Sequence, residues 1–319
     1  MRGSDVTVIA PVYNDGEAAC TLVAELDRVF APLSYRLRVI LVDDGSDHET
    51  ATMLDALARA KPHVAVIHLS RNFGHQAALT AGLDFADGDA IVMMDADLEH
   101  PPDLLPQMLR QWEEGADVVY TVRTGDEGVG VLKRLTSWGF YKVLQALSEW
   151  PVPEGAADFR LLDRKAADVL RRMPERRRFL RGLSAWIGFR QTGVPYRQGQ
   201  RRSGKPKFTF IKMLRLASDG LLSMSSVPLR LALFLGFAMS ALSAAYMVYV
   251  ILAYLLADRP IVWGWPSLIV AIIFLGGLQI NMTGVVGLYI ARIYDEVKGR
   301  PIYVVQSTSG FLADNEDDA

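Results

Sequence analysis

Two aspartates separated by one alanine, Asp95 and Asp97, follow the apolar run 90–94 and are the most specific chemical feature of the sequence. Carboxylates with this spacing at the end of a strand can reach a hard divalent cation, and Mg²⁺ or Mn²⁺ then bridges the oxygens of a diphosphate. Such a metal acts as a Lewis acid toward a nucleoside diphosphate leaving group. Glu99 is a candidate third ligand. The alternative is a turn with two solvated aspartates and a helix-entry acid at position 99.

Two further acidic positions are candidates for chemistry. Asp43 and Asp44 precede Gly45 and Ser46, which favours either a turn with a helix cap or a carboxylate that accepts from a base N–H or a ribose hydroxyl. Asp158 follows a segment rich in proline and glycine, so it is a candidate general base or acceptor-orienting residue. The alternative for Asp158 is a surface ion pair with a nearby arginine.

Short apolar runs that alternate with helical patterns must position these residues. The predicted strands cover 6–11, 38–42, 64–69, 90–94 and 118–122, and the predicted helices cover 15–30, 49–60 and 74–85. This alternation predicts an α/β domain with a mostly parallel sheet, in which ligands bind at the carboxyl ends of the strands. The polar clusters at residues 13–14, 43–44 and 95–97 lie at those ends.

Several function classes are excluded by what the sequence lacks. A single cysteine, Cys20, excludes a disulfide scaffold and an iron–sulfur cluster. The first predicted strand is not followed by a glycine fingerprint, which argues against dinucleotide redox chemistry, and a P-loop motif is absent.

Charge is segregated along the 319 residues, although the formal net charge is only −2. Residues 1–100 hold 16 acidic and 7 basic residues, whereas residues 171–215 hold 14 basic residues and one acidic residue. This basic segment could form a nucleic-acid patch or a solvated face. It ends about 15 residues before a long apolar run, so we expect it to face anionic lipid headgroups, and we expect no nucleic-acid partner.

Two uncharged runs, 231–256 and 260–291, are each long enough to span a bilayer as a helix. The alternative is a pair of buried helices in a soluble core. We expect transmembrane helices at 229–257 and 262–291, preceded by an amphipathic interfacial helix at 208–228. Flanking cations place both termini in the cytoplasm. An apolar leader is absent from the N-terminus, so we expect no signal peptide, a cytosolic catalytic domain at 1–207 and a cytosolic tail at 292–319.

Six motifs in order carry a resemblance to a known family. They are Pro11–Asn14 (PVYN), Val42–Ser46 (VDDGS), Leu69–Gly74 (LSRNFG), Met94–Leu98 (MDADL), Ala157–Arg160 (ADFR) and Arg292–Pro301 (RIYDEVKGRP). Together they resemble the GT-A fold polyprenyl-phosphate glycosyltransferases of glycosyltransferase family 2. The tail and the two apolar runs favour the bactoprenol glucosyltransferase branch over the similar dolichol-phosphate mannose synthases.

The resemblance implies transfer of one sugar from a nucleotide sugar to polyprenyl phosphate at the bacterial plasma membrane, with inversion and with Mg²⁺ or Mn²⁺. It assigns the nucleoside to Pro11, Tyr13, Asn14, Glu17, Asp43, Asp44, Asp95 and Ala96. It assigns the metal–diphosphate to Asp95 and Asp97, and catalysis to Asp158. It places phosphates at Arg123, Lys133, Arg134, Ser137, Arg201 and Lys207, with Pro206 where the family usually has serine or threonine. A homo-oligomer such as a tetramer is a further implication.

UDP-glucose is the first choice of donor, and the donors of mannose, N-acetylglucosamine and aminoarabinose are the alternatives. A processive polysaccharide synthase would need a Q-x-x-R-W motif and more spans, neither of which is present. A non-catalytic membrane scaffold or flippase partner is the alternative from a different class.

Overall fold

A computed structural model describes residues 3–123, 156–176, 178–196 and 264–311, together with Leu229 and scattered positions from 234 to 252. The strands are β1 (Asp5–Val12), β2 (Arg36–Asp43), β3 (Val64–Leu69), β4 (Ala90–Met93), β5 (Val118–Arg123), β6 (Ala156–Asp163), β7 (Gln191–Tyr196) and β8 (Val305–Ser309). The helices are α1 (Gly16–Phe30), α2 (His48–Ala60), α3 (His75–Phe85), α4 (Leu105–Glu113), α5 (Arg164–Arg172), α6 (Leu180–Trp186) and α7 (Trp265–Val297). A 3₁₀ turn at Pro102–Leu104 leads into α4.

The strands form one sheet in the order β7-β5-β6-β4-β1-β2-β3-β8. The central strands β4, β1, β2 and β3 are parallel to one another, as the sequence predicts. β6 runs antiparallel to both β4 and β5, and β8 runs antiparallel to β3. The mostly parallel α/β architecture is therefore confirmed, with antiparallel strands inserted at two places.

Helices bury an apolar layer on each face of the sheet. On one face, Leu22 and Leu26 of α1 and Trp112 of α4 are almost fully buried. On the other, Leu79 of α3 and Leu170 of α5 are covered. Each such side chain contributes about 1.5–3 kcal/mol by leaving water, so the two layers hold the strand ends in fixed relative positions.

A close approach between α3 and β1 depends on one glycine. A Cβ atom built on Gly82 would lie 2.2 Å from Cγ2 of Ile9, far inside van der Waals contact. Glycine lets the helix pack directly on the strand. The N-terminal end of α3 is thereby held near the end of the sheet where the polar clusters lie.

The tail of the chain belongs to the same unit as the sheet. Residues 300–311 group with the sheet, and the described residues of 229–299 form a second unit. Ser70 N donates to Val304 O at 2.9 Å, the Tyr303 hydroxyl donates to Asp84 at 2.8 Å, and Phe311 packs on Phe85 with 5.5 Å between ring centroids. The segment predicted as a cytosolic tail at 292–319 therefore contains the end of helix α7 and strand β8 of the sheet.

In the second unit, α7 is 33 residues long. Its segment Phe274–Val297 is long and apolar enough to cross a membrane, and no other helix of the described residues meets both conditions. α7 starts three residues after the predicted start at 262 and ends six residues after the predicted end at 291. Residues 234–239 and further positions up to 252 are helical. The rest of the predicted span 229–257 and the interfacial helix 208–228 lie outside the described residues.

Candidate active site

Three polar clusters meet at one edge of the sheet. β1, β2 and β4 are parallel neighbours, so their carboxyl ends lie side by side. Residues 13–14 follow β1, residues 43–44 end β2 and begin the next turn, and residues 95–97 follow β4. The sequence-based prediction that these clusters share an edge is confirmed by the strand order.

The antiparallel strand β6 brings a fourth carboxylate to this edge. Met93 of β4 pairs with Arg160 of β6. Continuing this register by two residues places Asp158 opposite Asp95. The amino end of β6 thus lies where the parallel strands have their carboxyl ends, and this is how a residue 63 positions later in the chain reaches the same edge.

Asp158 is held by two arginines. Oδ1 accepts from Nε of Arg181 at 3.2 Å, and Oδ2 lies 3.1 Å from Nη2 of the same residue, which is a two-point contact. Nη2 of Arg160 lies 3.9 Å from Oδ1. Burial alone would raise the pKa of Asp158, but the positive charges of Arg181 and Arg160 outweigh it and lower the pKa. Asp158 is therefore a fixed carboxylate at neutral pH, paired with Arg181 more closely than with the neighbour Arg160.

Arg160, the second arginine near Asp158, is a buried residue. It is 2% exposed and donates to the carbonyl of Leu180 at 3.3 Å and to the hydroxyl of Ser184. Burial lowers its pKa to about 10, so the guanidinium remains charged. These contacts connect the amino end of β6 to α6, the helix that also carries Arg181.

Asp95 contacts two histidines that the sequence-based site did not include. Nε2 of His75, the first residue of α3, lies 2.7 Å from Oδ1 of Asp95. Burial would lower the pKa of His75, but the hydrogen bond and charge of Asp95 raise it. The other ring nitrogen, Nδ1, lies 3.4 Å from the side-chain amide nitrogen of Gln76. Nδ1 of His100 accepts from the backbone N–H of Asp95 at 3.2 Å. Burial lowers the pKa of His100, and its neutral ring stacks on Phe159 with centroids 5.2 Å apart.

The turn after Asp95 is shaped by its own side chains. The backbone N–H of Glu99 donates to Oδ1 of Asp97 at 3.0 Å, and Leu98 between them has a positive φ of 61°. Ala96 is buried. Within residues 3–123, 156–176, 178–196 and 264–311, no three His, Cys, Asp or Glu side chains form a ready-made metal site. Asp95 and Asp97 fit Mg²⁺ or Mn²⁺ in the usual way for these ions, which take one or two carboxylates plus substrate phosphates and water.

The loops after β1 and β2 are cross-linked by hydrogen bonds. The N–H of Asn14 donates to Oγ of Ser46, and the N–H of Asp47 donates to Oδ1 of Asn14, both at 2.9 Å. Asn14 has a positive φ of 52°, and Tyr13 beside it is 54% exposed. Pro11 lies within β1, and exposed Glu17 lies in the first turn of α1. The loops therefore present a tyrosine ring at the edge of the sheet.

Asp44 stabilises the loop between β3 and α3 through two hydrogen bonds. Its two oxygens accept from the N–H groups of Phe73 at 2.7 Å and Gly74 at 2.9 Å. Gly45 follows with a φ of 70°, and a Cβ there would lie 2.4 Å from the backbone of Arg71. Asp43 instead contacts Ser46 and His68. The N-cap of α2 is Asp47, whose side chain accepts from the N–H of Thr50.

The predicted phosphate-binding residues are mostly not described. Lys133, Arg134, Ser137, Arg201 and Lys207 lie outside the described residues, as does the side chain of Arg123, whose backbone ends β5. The structure adds Arg181 and His75 to the candidate site. His75 directly follows the LSRNFG motif, and Arg181 lies in the basic segment. The sequence therefore places both residues in notable segments, but it does not predict their contacts with Asp95 and Asp158.

Comparison with known proteins finds a matching family model and relatives that match over nearly the whole chain. The model of the family described as "Glycosyl transferase family 2" matches residues 7–171. The uncharacterized glycosyltransferase YkcC of Bacillus subtilis is 40% identical over 97% of this chain and 95% of its own length. The SfII prophage-derived bactoprenol glucosyl transferase of Shigella flexneri is 37% identical over 95% of this chain and 98% of its own length.

Among solved structures, mannosyl-3-phosphoglycerate synthase from Rubrobacter xylanophilus aligns over 68% of this chain and 71% of its own, with 19% identity and a TM-score of 0.44. The family model covers half of the chain and includes the edge with Asp43, Asp95 and Asp158. The chain is therefore an enzyme that belongs to glycosyltransferase family 2.

Proposed function

We propose that this enzyme transfers one glucose from UDP-glucose to the phosphate of a polyprenyl carrier, with inversion at the anomeric carbon. The observation that carries the proposal is the full-length match to the bactoprenol glucosyl transferase of Shigella flexneri, 37% identical over 95% of this chain. A phosphate oxygen of the acceptor forms a bond to C1 of the sugar. The bond between C1 and the donor diphosphate breaks, and UDP leaves.

The nucleoside side of the site is proposed at the loops after β1 and β2. The exposed ring of Tyr13 offers a stacking surface, and the Asn14–Ser46 contact fixes its backbone. Asp43 accepts a hydrogen bond from the N–H of Ser46. Burial raises the pKa of Asp43, but its hydrogen bonds, above all the one from His68, outweigh burial and lower that pKa. An ionised carboxylate here suits a base or ribose that presents N–H or O–H donors.

The diphosphate side is proposed at Asp95 and Asp97. Mg²⁺ or Mn²⁺ held there would neutralise charge on the departing diphosphate. His75 holds one oxygen of Asp95, which fixes the direction of this carboxylate. Glu99 remains a candidate further ligand through its position in the same turn.

Asp158 is proposed to orient the acceptor, and a role as a strong base is disfavoured. An efficient general base has a pKa near the working pH, whereas Arg181 and Arg160 lower the pKa of Asp158. The acceptor needs little help, because a phosphate monoester with a second pKa of about 6 is already charged at neutral pH. The polyprenyl phosphate would meet Arg123, Lys133 or Arg134, and Ser137. Arg201 and Lys207 would bind phosphates, with Arg201 on the leaving diphosphate.

We also propose a two-helix membrane hairpin. β7 ends at Tyr196 and β8 begins at Val305, and both belong to one sheet. Both strands must therefore lie on the same side of a membrane. If α7 crosses the bilayer once, the chain between β7 and α7 must cross it an odd number of times, so that the total number of crossings is even. A single crossing at 229–257 meets this condition and keeps the catalytic unit on one side of the membrane. The cations that flank the two apolar runs favour the cytoplasmic side, next to anionic headgroups.

The test is turnover of the purified full-length enzyme with undecaprenyl phosphate, Mg²⁺ or Mn²⁺, and a panel of nucleotide sugars. UDP-glucose is expected to give undecaprenyl-phosphate-linked glucose of the corresponding mass and one equivalent of UDP. Preference for GDP-mannose, UDP-N-acetylglucosamine or a UDP-aminoarabinose would overturn the choice of sugar. Donor binding without turnover on any lipid acceptor would favour a non-catalytic scaffold.

A further inference from the structure

A continuous series of side-chain contacts connects the tail strand to the edge of the sheet. The hydroxyl of Ser309 on β8 donates to Oδ1 of Asp55 on α2. Nε2 of His68 on β3 lies 3.1 Å from the same oxygen, and Nδ1 of His68 lies 2.8 Å from Oδ2 of Asp43 on β2. Three consecutive elements, β2, α2 and β3, thus share one polar network with the distant strand β8. We call it the tail network (Ser309, Asp55, His68 and Asp43).

The tail network continues into the loop that carries Tyr13. The N–H of Ser46 donates to Oδ1 of Asp43 at 2.9 Å, and Oγ of Ser46 accepts from the N–H of Asn14 at 2.9 Å. Asn14 is the neighbour of Tyr13. A displacement of Asp43 is therefore passed directly to the two loops at which the nucleoside is proposed to bind.

The protonation of His68 follows from its partners. Ionised carboxylates only accept hydrogen bonds, and a carboxylate faces each nitrogen of this ring. An imidazolium with two N–H groups satisfies both. The hydrogen bond with Asp43 raises the pKa of His68 more than burial lowers it, in agreement with this assignment.

The burial of the tail network makes it more rigid than a surface network. His68 and Asp43 are 7% and 3% exposed, so water cannot readily replace their mutual contact. Asp55 lies nearer the surface, with 38% of its side chain exposed, and its outer partner is Ser309. Without that hydroxyl, Asp55 has one contact fewer and more freedom to turn away from His68.

We propose that Ser309 is a positioning residue for the donor nucleoside, acting through Asp55, His68 and Asp43 on the Tyr13–Asn14 loop. The inference rests on the proposed function, since it takes this loop and Asp43 as the nucleoside-binding region. It makes the strand that follows the long apolar helix α7 part of the donor site. It also gives the pairing of β8 with β3 a role in substrate affinity.

The experiment is titration of UDP with Mg²⁺ into the full-length enzyme in detergent, with steady-state kinetics on the same preparations. Ser309→Ala is expected to raise the Kd for UDP and the KM for the donor about three- to tenfold, the size of one ordinary hydrogen bond. The kcat and the KM for undecaprenyl phosphate should stay within twofold of wild type. Ser309→Thr keeps the hydroxyl and should restore the affinity. Thr308→Val, which removes an exposed hydroxyl from the opposite face of the same strand, is the matched control.

The outcomes separate this inference from the proposed function. If Tyr13→Ala leaves UDP affinity unchanged, the proposed nucleoside site is wrong. If Tyr13→Ala weakens binding but Ser309→Ala does not, the positioning role of Ser309 is refuted. A fall in Tm with unchanged Kd for UDP would also refute it, because the hydroxyl would then act on stability alone. Should Ser309→Ala not fold, Asp55→Asn must weaken UDP binding by at least threefold for the inference to stand.

Discussion

Replacing Arg181 tests whether a fixed carboxylate at Asp158 contributes to turnover. In the structure, Arg181 contacts both oxygens of Asp158, at 3.2 and 3.1 Å. Arg160 is more distant from Asp158, at 3.9 Å, and is already engaged with Ser184. Arg181→Ala therefore removes the two contacts that fix the direction of the carboxylate and leaves Asp158 itself in place.

The expected magnitude follows from these contacts. A hydrogen bond to a charged group contributes about 1.5–3 kcal/mol. The side chains of Arg181 and Asp158 are 27% and 24% exposed, so water can partly replace the lost partner. We therefore take the lower value for each of the two bonds, about 3 kcal/mol together. At about 1.4 kcal/mol per factor of ten, this sets an upper bound of about a hundredfold on the loss of kcat, reached when the whole contact energy is needed in the transition state.

Arg181→Lys provides a graded comparison. Lysine keeps the positive charge but replaces a planar two-point contact with a single ammonium. One lost bond of about 1.5 kcal/mol predicts about a tenfold loss in kcat. The assay is release of UDP by the full-length enzyme with UDP-glucose and saturating undecaprenyl phosphate. Arg172→Ala, which removes an exposed cation of α5, controls for the change in net charge.

The reasoning would be refuted by a kcat of Arg181→Ala within threefold of wild type at unchanged Tm. Orientation of Asp158 would then make no contribution to the transition state. An equal loss in Arg172→Ala would point instead to a general effect of basic charge on the encounter with an anionic lipid.

Three further predictions concern the metal, the loop that Asp44 stabilises, and the buried residue His68. EDTA should abolish turnover and Mn²⁺ should restore it in wild type, whereas Asp97→Ala should stay about a hundredfold slower at any Mn²⁺ concentration; UDP release measures both. Asp44→Ala leaves the N–H groups of Phe73 and Gly74 without their acceptors, so unfolding should become about 2–4 kcal/mol easier in chemical denaturation. His68 has a raised folded pKa, so its contribution to stability is complete below about pH 6.5 and is lost as pH rises through that raised value. The Tm difference between wild type and His68→Gln should therefore be larger at pH 6 than at pH 9.

The central strands were predictable because they are buried on both faces. β3, for example, has the predicted bounds Val64–Leu69, and all six of its residues are buried. Continuous apolar runs of this length mark strands of a parallel sheet. The clusters at the strand ends followed from the same rule, since the chain leaves a parallel strand at the ligand-binding edge.

The antiparallel strands were not predictable from periodicity. β6 carries charged residues at Asp158, Arg160 and Asp163, and α6 supplies acceptors for the buried Arg160. β8 is a short polar strand, Val305–Ser309, that pairs with a strand more than 230 residues earlier. Contacts of this range leave no local pattern, so the arginine partner of Asp158 and the place of the tail emerged only from the fold.

The same long-range contacts explain how an acidic edge can accept an anionic donor. Residues 1–100 hold 16 acidic and 7 basic residues, and three of the site carboxylates, Asp43, Asp95 and Asp158, lie at one edge. Asp43 and Asp158 each have a positively charged partner close by, His68 and Arg181. Asp95 has a hydrogen-bond partner in His75. Opposite charges at about 3 Å largely cancel at the distance of a bound ligand. The carboxylates can therefore remain ionised, which metal binding and hydrogen-bond acceptance require, without presenting their full negative charge to a diphosphate.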